Sequence, residues 1–179
     1  MDPDALLNAP WGFEGLYESI NLHPLFVHFP VALLSAALVF YAIGSIVRNE
    51  GLFHAGKWSL LAGTAGAAAA VWSGLIAEET VPHDASVHHL IEAHEALGVL
   101  ILGLSVLLSV WLLISRSSLP QKGRPLFFAA LALAALLIAQ TGDFGGRMVY
   151  MHGLGMGKRS ALPRMHAPHV HEHVHDHEH

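Results

Sequence analysis

The sequence predicts an all-α integral membrane protein, with four transmembrane helices in an up-down bundle. Two observations carry this. Residues 23–47, 58–77, 96–115 and 125–142 contain no Asp, Glu, Lys or Arg, and each run is about as long as the roughly 20 residues a helix needs to cross a bilayer. The composition agrees: 53% of residues are hydrophobic and 13% charged, with a mean hydropathy of +0.47. Soluble domains average about 25% charged residues. A chain of 179 residues fits one bundle and leaves little for a second domain.

Residues 1–22 read as an amphipathic leader. Leu6, Leu7, Trp11, Phe13, Leu16, Tyr17 and Ile20 alternate with Asp4, Asn8, Glu14 and Glu18. Such a segment lies along the interface, with Trp11 and Tyr17 at headgroup level; the plainer alternative is a loosely ordered leader. Its acidic start lacks the basic region of a secretory signal peptide, so the first span is expected to act as its own insertion signal.

The transmembrane domain is expected over 23–157. Span one opens with His23-Pro24 and meets Pro30. Pro24 suits a first helical position, whereas Pro30 removes a backbone donor. An irregular or kinked entry over 23–30 is expected. In span two, Gly66, Ala70 and Gly74 repeat every four residues on one face. That stripe favours close helix packing and could also make room for a flat cofactor. Span three begins near Ala96, with His94 just before it and Gly98 one turn from that histidine. Span four ends in Gly142-Asp143-Phe144-Gly145-Gly146. Asp143 there marks the interface, relays protons or binds the arginines that follow it.

Orientation follows from the basic residues. Arg48 and Lys57 lie between spans one and two, and Arg116, Lys122 and Arg124 between spans three and four. The leader and residues 78–93 carry no Lys or Arg. The positive-inside rule therefore places both basic loops in the cytoplasm and both termini outside. Arg147, Lys158, Arg159 and Arg164 argue the other way but are spread over a longer segment.

The tail, residues 158–179, is too polar to pack a core and is expected to be disordered. Residues 166–179 hold seven histidines in fourteen positions. His169, His171, His173, His175, His177 and His179 alternate with other residues, so an extended chain lines them along one face. Imidazole suits zinc, copper and nickel, and Glu172, Asp176 and Glu178 could add oxygen ligands.

The chain has no cysteine. That excludes disulfides, thiolate-bound iron–sulfur clusters, cysteine nucleophiles and covalent c-type haem. No nucleophile–base pair, phosphate loop or nucleic-acid-binding patch is present. Electron transfer, metal binding or an accessory role is therefore favoured over an enzyme.

Four histidines head for one membrane face: His23 and His28 at the start of span one, His94 before span three, and His152 after span four. A b-type haem needs two axial imidazoles from facing helices. His28 and His94 are the preferred pair, with Gly98 and the span-two stripe opening a slot and Arg147 reaching a propionate. Alternatively His23, His28, His94 and His152 form a mononuclear copper or zinc site. The third reading is structural, with imidazoles capping helix ends. Only His54, in the loop between spans one and two, lies near the other end of any span, so two stacked haems are not expected.

The segment His23-Pro24-Leu25-Phe26-Val27-His28-Phe29-Pro30 resembles the HPxxVHFP opening of a bacterial membrane family, domain of unknown function 2231. His94 with Gly98, and Gly145-Gly146-Arg147-Met148-Val149-Tyr150 with Gly153 and Gly155, extend the likeness over about residues 20–157. The resemblance implies a four-helix membrane protein and brings no settled activity; members are suspected of binding haem or of sitting beside redox proteins. The tail lies outside the family pattern.

The expectation is thus a multi-pass protein of a bacterial inner membrane, in contact with lipid and with a membrane or periplasmic protein partner. It carries haem b in electron transfer as a small subunit or partner of a redox complex. The alternatives are handling of copper, zinc or nickel through the tail, and a cofactor-free accessory subunit.

Overall fold

The computed structural model describes residues 22–80 and 85–154. The leader before them and the His-rich segment after them lie outside the described residues. Four helices make up the described chain: α1 (His23–Val47), α2 (Glu50–Thr80), α3 (Ala85–Ile114) and α4 (Arg124–Tyr150). All four are long and apolar enough to cross a membrane.

Each helix contacts its sequence neighbour, and α1 also meets α4, while the diagonal pairs α1–α3 and α2–α4 make no backbone contact. Short connections force consecutive helices antiparallel. The result is a four-sided up-down bundle. Large apolar side chains such as Ile46, Trp72, Leu107 and Leu136 are exposed on its outside, as a lipid-facing surface requires.

The helices overrun the uncharged runs. α2 starts eight residues before Trp58 and α3 eleven before Ala96, because polar residues at a span's end lie in the headgroup region and still continue the helix. His54 thus stands on α2 rather than in a loop, and Glu92 and His94 stand on α3. The irregular entry expected over 23–30 is not found. α1 is helical without a break from His23 through Pro30. Pro24 occupies the first turn, where its missing donor costs nothing. Pro30 deprives the Phe26 carbonyl of its helical partner, yet its buried ring packs beside Gly66.

That contact shows what the small residues of α2 do. A Cβ on Gly66 would fall 2.7 Å from Phe29 Cβ, and one on Gly63 2.8 Å from Leu34 Cδ2. The slot considered for a flat cofactor is filled by α1 itself, so plain packing accounts for the stripe.

One end of the bundle is an aromatic plug. Tyr41 is fully buried among Phe53, Phe127 and Phe128, and its hydroxyl donates to the Ser118 carbonyl at 3.0 Å. Midway along, Thr64 of α2 donates to the Leu60 carbonyl and shares a 2.9 Å hydrogen bond with Ser109 of α3. Among the described residues no buried side-chain nitrogen or oxygen lacks a partner, which a bilayer interior demands. The end opposite the plug carries His23, His28, His94 and His152.

Candidate functional site

His23 is the first residue of α1, and it points inward by register. Pro30, Leu34, Ala37, Tyr41 and Gly44 form the buried face of the helix, and a seven-residue step back from Pro30 reaches His23 on that same face. His94 lies in the third turn of α3, the diagonal partner of α1. Their rings meet across the bundle axis with centres 6.0 Å apart and planes at 81°. Both are half-buried.

Each ring is held by a helix it does not belong to. His23 Nδ1 donates to the Ala70 carbonyl of α2 at 3.0 Å and lies 3.2 Å from Ser73 Oγ, whose own hydroxyl also donates to Ala70. His94 Nδ1 donates to the Thr141 carbonyl of α4 at 3.1 Å. A carbonyl only accepts, so both Nδ1 atoms carry the proton. In the neutral ring Nε2 is then the lone-pair atom.

Two glycines let these helices approach. A Cβ on Gly74 would lie 3.2 Å from His23 Cε1, and one on Gly145 3.5 Å from His94 Cε1. All four helices therefore contribute to the centre: two rings, two carbonyls and two glycine seats.

The other candidates fall elsewhere. His28, five residues from His23, is turned about 140° away at 100° per residue; it is exposed and its Nδ1 donates to the Pro24 carbonyl of its own helix. The structure sets His94 against His23, not against the preferred partner His28. His152 is exposed beyond α4. Among the described residues no three His, Asp or Glu side chains gather as a metal site, so the four-histidine mononuclear centre is not assembled. Gly98 faces α2, where Val71 Cγ2 stands 3.8 Å from a would-be Cβ. Arg147 pairs with Asp143 at 2.8 Å and lies over the Phe144 ring. That ion pair is half-exposed and gives Asp143 a local partner. His169, His171, His173, His175, His177 and His179 lie outside the described residues.

Sequence reasoning missed Ser73, Gly74, Thr141 and Gly145 as the seats of the rings. Register could have found the first ring, since His23 follows the buried seven-residue spacing and His28 does not. The carbonyls of Ala70 and Thr141 leave no trace in side-chain chemistry. Two further imidazoles stand at the same end, His88 and His89, both at ion-pair distance from exposed Glu92.

No curated protein and no solved structure matches the chain. A family profile described as predicted membrane protein (DUF2231) matches residues 19–158. That span takes in all four helices and both histidines of the centre, and the chain belongs to this family of membrane proteins.

Proposed function

We propose that the chain is a small b-type haem protein of the bacterial inner membrane, in which His23 and His94 would hold the haem, passing electrons to a membrane or periplasmic redox partner. One observation carries the reading: both rings at the bundle mouth donate Nδ1–H to a carbonyl of a neighbouring helix. Ligating histidines are oriented in this way, with the second nitrogen turned to the metal.

The donor set favours haem over a bare ion. A porphyrin supplies four nitrogens and asks the protein for two, whereas zinc and copper centres draw three or four ligands from the protein. The His23 and His94 rings, with centres 6.0 Å apart, are the two imidazoles that would hold the haem. Bound there, haem would supply one-electron redox chemistry. The protein's part is to fix both rings, shield them from lipid and offer Arg147 at the mouth. Arg48, Arg116, Lys122 and Arg124 crowd the opposite end, which supports placing the histidines on the periplasmic side.

The test is the visible spectrum of protein expressed with ample haem. A Soret band with sharp reduced α and β bands is expected. It should be lost in His23→Ala and His94→Ala, and kept in His28→Ala and on removal of residues 166–179. A featureless wild-type spectrum would overturn the reading. Metal lost with the tail would turn attention to copper, zinc or nickel handling, and stable co-purification without a chromophore to an accessory role.

A further inference from the structure

The end of the bundle remote from the histidines is strongly basic. Segments 48–57 and 115–124 hold Arg48, Lys57, Arg116, Lys122 and Arg124 against one carboxylate, Glu50. Arg48, Arg116 and Lys122 are exposed, and Arg124 is not. It opens α4 just before Pro125, and its side chain is half-buried between three helices. Nη2 donates to Ser45 Oγ of α1 at 2.8 Å. The guanidinium lies over the Phe53 ring of α2 and the Phe128 ring of α4, at 5.7 and 6.0 Å. Ser45 is itself oriented, since its hydroxyl donates to the Tyr41 carbonyl at 2.7 Å.

This geometry fixes a guanidinium and spends one of its five donors. Among the described residues no carboxylate pairs with it; Glu50 instead accepts from Ser118 at 3.4 Å. A fork held rigid by two aromatic faces, with donors to spare, is suited to bidentate binding of a phosphate. The position at the start of a span puts it at headgroup depth. At the same end of the bundle Ile46, Val47 and Leu126 are exposed, apolar surface for acyl chains.

We propose that Arg124, with Ser45, Phe53 and Phe128 as its cradle, binds the phosphate of an anionic phospholipid where α1 and α4 meet. This does not depend on the haem reading. A basic pocket between helices selects an anionic headgroup over a zwitterionic one.

The experiment is native mass spectrometry of the full chain in mild detergent, titrated with phosphatidylglycerol or phosphatidylethanolamine. Phosphatidylglycerol should be retained preferentially. Arg124→Gln should weaken retention roughly fivefold or more, the weight of one basic side chain at an anionic surface. Lys122→Gln, exposed at the same end, should leave it unchanged, and Arg124→Lys should fall between. Equal retention of both lipids by wild type overturns the proposal, as does wild-type retention by Arg124→Gln. Displacement of the lipid by millimolar inorganic phosphate would assign the site to free phosphate and overturn the lipid. Should Arg124→Gln fail to fold, Arg124→Lys and the two-lipid comparison decide.

Discussion

Replacing Gly66 by alanine should loosen the bundle, although alanine is the better helix former. A Cβ at position 66 would lie 2.7 Å from Phe29 Cβ and 3.3 Å from Pro30 Cδ. Carbon atoms in good contact stand about 3.5–4.0 Å apart, so the overlap approaches an ångström. Neither neighbour can swing aside, because Phe29 Cβ is bonded to the backbone and Pro30 Cδ closes a ring. Helix α1 itself must retreat. Overpacking of this kind costs about 1–3 kcal/mol, against which alanine returns about 1 kcal/mol of helix propensity. The net expectation is a loss of up to about 2 kcal/mol. Gly103→Ala is the matched control, since nothing lies within 4 Å of its Cβ. It should be neutral or stabilising by up to about 1 kcal/mol. Unfolding in mixed micelles, followed by fluorescence of Trp58, Trp72 and Trp111, measures both. If Gly66→Ala is as stable as Gly103→Ala, the α1–α2 contact is not tight and the reasoning fails.

Two further predictions follow from the ends of the bundle. Tyr41→Phe removes the 3.0 Å hydrogen bond to the Ser118 carbonyl and should cost about 1 kcal/mol in the same assay; an unchanged midpoint would mean that another donor serves that carbonyl. Gly145→Val adds methyl groups against a His94 ring whose Cε1 is 3.5 Å from the new Cβ. It should displace the ring and diminish or shift the Soret band, while Gly142→Val, open at its Cβ, should leave the spectrum as it was.

The spans were legible because lipid imposes a length and a composition that any sequence shows. Their ends were less so. Glu92 and His94 look like loop residues in a hydropathy reading, yet helix α3 runs through both. Proline misled in the same way: Pro30 forbids one hydrogen bond but not a helix, and its ring fits the gap left by Gly66. For the site, the sequence told which end of the bundle collects imidazoles but not which rings meet. His23 and His28 differ in the face they take, which is a matter of register against Leu34 and Tyr41. The groups that orient the rings are main-chain oxygens, and these belong to every residue alike.

The connection between α1 and α2 is two residues, Arg48 and Asn49. Arg48 adopts a left-handed conformation, φ 55°, with its N–H capping the Gly44 carbonyl. So abrupt a reversal ties the two spans into one hairpin with its own sealed seam of glycine contacts. With so short a link the two spans are held antiparallel and side by side, and neither can turn over without the other. Whichever membrane face Arg48 occupies, His23 and Thr80, at the far ends of the two helices, lie toward the other.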